Sequence, residues 1–194
     1  RQSPYVPVAA EADQKQGGQL WSLDHLWFFS DRLVLKNQLT LKTGYVDVFP
    51  NSGDLSTPGH GGSVGAQNSE NYGFYSYNRR SRLQFDPKAT YYLDDFFGDH
   101  ELAVGGSVTG LKESTLSGRP GNIWFVDRLE TPYDETSDTV QYYWVESSGP
   151  RRQDAQGLQT ALYVQDAWKP IETLTIRGGL RFDRAALLND QDKE

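Results

Sequence analysis

Between Gly157 and Arg184, hydrophobic and polar residues alternate in two runs that fold back on each other. In the first run Leu158, Leu162, Val164 and Trp168 share a face, opposed by Gln159, Ala161, Tyr163 and Gln165, because successive strand side chains point to opposite sides. Thr160 and Asp166 break the apolar stripe. In the second run Leu174, Ile176, Gly178, Leu180 and Phe182 oppose Thr175, Arg177, Gly179, Arg181 and Asp183. Pro170 has no N–H to give a ladder, so it is expected to support the turn between the two arms. A strand pair with one apolar and one charged face suits a wall with lipid on one side and water on the other.

The same period of two recurs along the chain. Leu20 to Phe29 is crowded, with Trp21, Leu23, Trp27 and Phe29 on one side and Leu26 and Phe28 on the other. A tight turn at Ser30, Asp31 and Arg32 follows, and Leu33, Leu35, Leu39, Leu41 and Tyr45 then alternate with Lys36, Gln38, Thr40, Lys42 and Gly44. Leu83, Phe85, Ala89, Tyr91 and Leu93 alternate with Arg82, Gln84, Asp86, Lys88 and Thr90. After a short turn at Asp94 to Asp99, Leu102, Val104 and Val108 oppose Glu101, Ala103, Ser107 and Thr109, and Gly105 and Gly106 suggest a bend. The intervening stretches lack alternation. Residues 1–19 read as the tail of a surface loop, Asp47 to Asn78 as a long glycine-rich loop, and Ser114 to Gln156 as a second long loop with a small hairpin near Asn122–Val126 and Val140–Val145.

This organisation predicts an all-β, antiparallel up-and-down segment of a transmembrane β-barrel. About six long strands are expected, with short turns on one side and long loops on the other, the asymmetry of such barrels. Composition agrees with a barrel once its alternation is considered. A mean hydropathy of -0.66 suits a soluble protein, yet only every second residue of a barrel strand meets lipid. A membrane helix is excluded, since the longest wholly apolar runs, Leu26–Phe29 and Ile123–Val126, fall far short of the roughly 20 residues required. With no methionine and a start at Arg1, the sequence reads as an internal or processed piece. Six strands are fewer than the about eight of the smallest membrane barrels, and the polar run after Arg184 is unlike a closing strand, so the wall is expected to be incomplete.

Three segments carry a family likeness: Tyr163–Trp168 followed by Leu174–Asp183, Gly98–Gly110, and Arg80–Leu93. They resemble barrel hairpins of TonB-dependent outer-membrane receptors, in the Oar-like, SusC-related branch. Pro87 departs from the family pattern and implies a bulge or an edge. The resemblance implies that residues 1–194 are part of a receptor barrel in the outer membrane of a Gram-negative bacterium, with the plug domain absent. It further implies contact with membrane lipid, coupling to the TonB complex through that plug, and uptake of a nutrient such as a glycan or metal chelate. A soluble all-β module, carbohydrate-binding or adhesin-like, is the alternative.

Charge and chemistry refine this. A net charge of -7 argues against a nucleic-acid partner, and zero cysteines removes disulfides, thiol catalysis and cysteine zinc sites. Gly61, Ser63 and Gly65 match the nucleophile elbow, but neither the preceding strand nor the following helix is expected, so no catalytic residue and no enzyme is predicted. His25, His60 and His100 lack metal-ligand spacing, and the acidic groups Asp134, Glu135, Asp138 and Asp190, Asp192, Glu194 do not complete a calcium loop, so no metal or cofactor is assigned. Leu35, Leu39, Leu41, Leu83, Phe85, Leu162, Val164, Ile176 and Leu180 are expected to face lipid. Lys36, Lys42, Lys88, Gln165, Arg177 and Arg181 are expected to face the lumen, where the cations would guide an anionic ligand or simply be solvated. Trp21, Trp27 and Trp168 are placed in interfacial belts. Trp124, Tyr142, Tyr143 and Trp144, with Phe125, are the candidate loop contacts for a ligand or the packing of the loop itself.

Overall fold

A computed structural model describes residues 8–62, 70–127, 144–147 and 149–189. Six long strands form one antiparallel up-and-down sheet: β1 (Ala12–Ser30), β2 (Leu33–Pro50), β4 (Tyr75–Leu93), β5 (Asp99–Gly118), β8 (Arg151–Ile171) and β9 (Leu174–Asn189), in the order β1-β2-β4-β5-β8-β9. A second sheet holds β3 (Gly59–Gly62), β6 (Ile123–Asp127) and β7 (Trp144–Ser147). Each long strand pairs with the next along the chain, so the hairpin reading of the sequence holds and fixes the fold class as all-β.

The register of the last hairpin reproduces the predicted faces. Leu162 pairs with Phe182, Val164 with Leu180 and Trp168 with Ile176, whereas Ala161 pairs with Asp183, Tyr163 with Arg181 and Ala167 with Arg177. Directly opposed residues share a face, so the apolar stripes of β8 and β9 merge and the two arginines lie on the other side.

Several boundaries differ from the sequence expectation. β1 begins at Ala12, within the stretch expected to be loop, and β2 runs on to Pro50. β3 and the start of β4 occupy parts of the expected loop Asp47 to Asn78, while β5 extends to Gly118 and β8 starts at Arg151. These extensions carry no apolar alternation because a strand need not bury a face to exist when its ladder satisfies the backbone. The small hairpin expected in the second loop is present as β6 and β7, with Phe125 opposite Val145 and Val126 opposite Trp144. Pro170 is not in the turn. β8 continues to Ile171, the turn is Glu172–Thr173, and the ladder is irregular between Trp168 and Ile171, where a proline N is unavailable. Nor is Pro87 at an edge, since β4 lies between β2 and β5.

The chain divides into two compact units. One comprises Arg1–Gly17, Tyr45–Arg79 and Ser114–Gln153, and the other Gly18–Gly44, Arg80–Glu113 and Asp154–Glu194. The second unit contains the alternating segments and the short turns. Within it the β1–β2 turn is tied to β4, as the Tyr92 N–H donates to the Arg32 carbonyl at 2.8 Å. The first unit contains the loop cluster, built on the buried Pro50, Asn71 and Pro120.

Candidate functional site

The second unit presents two unlike faces. Side chains of the apolar stripe are exposed on each of its strands: Leu23, Leu39, Leu83, Val104, Leu162 and Leu180 range from 42% to 78% exposure. On the opposite face Ala103, Thr109 and Ala161 are at 6% or less. Small residues pack that face closely at β5 and β8. Tyr163 lies across Gly105, where a Cβ would come within 2.4 Å of the Tyr163 hydroxyl.

The five cations expected on the inner side are distributed along that face. Lys36 and Lys42 on β2, and Arg177 and Arg181 on β9, are exposed, and Lys88 on β4 is half-buried. Arg181 grips Asp183 on its own strand through Nε and Nη2 at 2.8 to 3.0 Å, so part of its charge is already neutralised. Arg80 and Glu113 form a similar exposed pair at 3.2 Å. Exposed pairs of this kind add little to stability because water screens them, and their consequence is a mixed-charge face.

Asp166, one of the two breaks in the β8 stripe, has a partner that sequence reasoning missed. Its Oδ2 lies 2.8 Å from Nδ1 of His100 on β5, and the other ring nitrogen, Nε2, lies 3.1 Å from the Phe96 carbonyl oxygen. The imidazole stacks on Trp168 with ring centroids 5.9 Å apart, and the Trp168 indole N–H donates to the Phe97 carbonyl at 2.9 Å. Asp166 Oδ1 is buried without a hydrogen-bond partner. The available signal was that His100 and Asp166 are polar positions in apolar stripes on two strands that the hairpin order makes neighbours. His25 likewise meets Asn37 at 3.3 Å. The three histidines without metal-ligand spacing are each held by a separate partner, His60 by Glu70 at 3.3 Å and by stacking on Phe125 at 4.6 Å.

The loop cluster of the first unit is organised by Asn71. Its Nδ2 donates to the carbonyls of Asp54 at 2.9 Å and Thr57 at 2.6 Å, while its Oδ1 accepts from the Ser52 hydroxyl and the Tyr72 N–H. Asp54 in turn accepts from the hydroxyls and amides of Ser56 and Thr57. Those bonds, the Ser56 hydroxyl first, hold its carboxyl well below the ordinary carboxylate range. A folded value below the unfolded one stabilises this turn above the usual carboxylate titration, and the contribution is lost only as the pH falls through the lowered value. Asn71→Ala removes the side-chain partner of two part-buried carbonyls and two donors, at about 1 to 3 kcal/mol for each group that water does not reach. A lowered denaturation midpoint of the chain checks this.

Trp124, a candidate ligand contact, is part of this packing. Its ring fills the space left by Gly73, where a Cβ would stand 1.7 Å from Cζ3, and the Arg119 guanidinium lies over it at 5.5 Å from the ring centroid. The indole is half-buried between loop segments instead of standing free as a stacking platform. Gly73→Ala forces the ring out, and a red shift with increased quencher access of Trp124 fluorescence, read with the other tryptophans replaced by phenylalanine, is the expected result. Tyr142 and Tyr143 lie outside the described residues, and of Trp144 only the backbone, the first residue of β7, is described. The Ser63–Gly65 part of the nucleophile-elbow match and the acidic clusters at 134–138 and 190–194 also lie outside them. The chain matches no protein-family model and no curated protein.

Proposed function

We propose that this chain forms part of the wall of an outer-membrane β-barrel, of the type built by TonB-dependent receptors that take up a nutrient across the outer membrane. The observation that carries the reading is the exposed apolar stripe on six neighbouring antiparallel strands, set against an opposite face that carries the charged side chains. Soluble proteins rarely leave contiguous apolar surface of this extent uncovered, and a soluble sandwich would bury such a stripe under a second sheet. In a barrel the stripe meets hydrocarbon and requires no cover. The strands also suit the span. The alternation from Leu83 to Leu93 fits the roughly 9 to 11 residues a tilted strand needs to cross a bilayer.

On this reading Trp27 and Trp168, near the short turns, lie in one interfacial belt, where an indole buries its ring and keeps its N–H hydrogen-bonded. The lumen face, with Lys36, Lys42, Lys88, Arg177 and Arg181 among carboxylates, is solvated and serves passage instead of chemistry, and no enzymatic role is assigned to it. Energy coupling belongs to a plug domain outside these residues. Expression of the chain alone gives the test. A barrel wall partitions into detergent micelles and aggregates without them, whereas a chain that stays soluble and monomeric in plain buffer is the carbohydrate-binding or adhesin-like module instead.

A further inference from the structure

We propose that the turn between β4 and β5 is a membrane foot: Phe97, with Phe96 beside it, seats in the headgroup layer of the bilayer, among lipids whose headgroups carry an ammonium. The inference rests on the membrane-wall reading and concerns the end of the wall where the short turns lie. Phe97 is 83% exposed and Phe96 57%, and the two rings meet edge-on with centroids 5.3 Å apart. Adjacent aromatics left bare at a turn are apolar surface that water disfavours. At the edge of a bilayer the same rings enter the boundary between headgroups and acyl chains.

The direction of the turn supports this. Trp168 continues the stripe of Leu162 and Val164 on β8, and His100 is in step with Leu102 and Val104 on β5, so both rings lie on the face read as lipid-facing. The Trp168 indole N–H donates to the Phe97 carbonyl at 2.9 Å, and His100 Nε2 lies 3.1 Å from the Phe96 carbonyl oxygen. The backbone of Phe96 and Phe97 is thereby drawn over that face instead of running straight off the strand ends. The Phe96 N–H is also used, donating to the Gly98 carbonyl at 3.0 Å. Polar backbone groups satisfied within the protein are what a segment entering a water-poor layer requires.

The turn holds this shape against its own backbone preference. Phe97 has φ +54°, in the left-handed region that a bulky side chain rarely enters. Such a conformation persists where the surroundings fix it, and it concentrates at functional positions. Here the Trp168 and His100 contacts do the fixing. A turn that only reversed the chain would place glycine or asparagine there, not an exposed phenylalanine. Charge selects the lipid. The short turns and the strand ends beside them carry Asp31, Asp94, Asp95, Asp99 and Glu172 against Arg32 and Lys169, and Arg32 already faces Asp94 at 4.0 Å. A negative fringe favours ammonium-bearing headgroups and opposes anionic ones.

The chain has no cysteine, so a single introduced one reports its own position. Nitroxide labels at Phe97→Cys, Asp95→Cys and Val104→Cys, each alone in the full chain inserted in phosphatidylethanolamine–phosphatidylcholine vesicles, are read by their collisions with oxygen, which concentrates in the bilayer, and with a water-soluble nickel chelate. The proposal expects an oxygen-to-nickel ratio at 97 between the high value at 104 and the low value at 95, and a fall at 97 when phosphatidylglycerol replaces both lipids. Trp168→Phe keeps a ring but removes the N–H that holds the Phe97 carbonyl, and is expected to lower the ratio at 97 while that at 104 is unchanged. A ratio at 97 as low as at 95, or shielding of 97 from both reagents as under a protein partner, overturns the foot, and a high ratio at 104 then leaves the membrane reading standing. A low ratio at 104 overturns both. No fall in phosphatidylglycerol overturns the headgroup assignment, and no response to Trp168→Phe overturns the role given to the indole. Phe96→Cys gives the same reading where Phe97→Cys does not insert.

Discussion

If the chain is the barrel wall proposed, arginine at Leu162 will lower its stability in a bilayer by about 2 to 4 kcal/mol, while arginine at Gln165 will cost little. Leu162 is 68% exposed in the middle of the apolar stripe and pairs with Phe182, so a guanidinium there would face hydrocarbon with no carboxylate opposite it. Gln165 pairs with Gly179 on the other face, beside Arg177 and Arg181, where a further cation stays in water. Leu39→Arg and Ile176→Arg belong with Leu162→Arg, and Gln38→Arg with Gln165→Arg. Urea unfolding from lipid vesicles separates the two sets. The contrast is sharp because an already exposed leucine in a soluble protein would tolerate arginine with almost no effect.

Gly98→Ala is the second large effect. Gly98 closes the turn between β4 and β5 at φ +108°, a backbone conformation that an L side chain adopts only under strain of about 1 to 3 kcal/mol. A Cβ would also stand 2.4 Å from the Lys169 carbonyl oxygen, so the turn must move away from β8. That movement pulls on the His100–Phe96 and Trp168–Phe97 contacts, which anchor the same turn. Gly53→Ala is the control: its φ is +71° but nothing lies within 4 Å, so only the backbone strain is added. Chemical denaturation of both variants is expected to show a loss for Gly98→Ala well beyond that for Gly53→Ala.

The alternating segments were legible because their period of two is itself the physical cause of the two faces. Leu35 against Lys36, or Ile176 against Arg177, is the same fact in sequence and in sheet. The outer reaches of the strands were not legible. Asp13 to Gln19 holds two glycines and no apolar stripe, yet it lies in β1, and Gly18 even brings its backbone against Thr43 of β2. Nothing in side-chain patterning records a ladder whose partner is also polar. GHGG at Gly59–Gly62 is the extreme case, a strand of near-featureless residues held parallel to β6. The His100–Asp166 contact was hidden differently, by a sequence separation of 66 residues, although Asp166 stood out as a break in its stripe. Trp124 was legible as a loop aromatic, but whether it stood free or packed depended on Gly73, a residue silent until the loop is folded.

In the proposed barrel wall the apolar stripe faces lipid and the opposite face water. In a chain without native cysteine, single cysteines placed at 35, 176 and 180 and at 36, 177 and 181, each carrying a fluorophore in the bilayer-inserted protein, test it directly. A one-residue slip in register would exchange the two sets completely. Quenching by lipid-soluble probes at 35, 176 and 180 and by water-soluble probes at 36, 177 and 181 is expected; the reverse assignment, or equal access of water-soluble probes to both sets, would overturn the barrel-wall proposal.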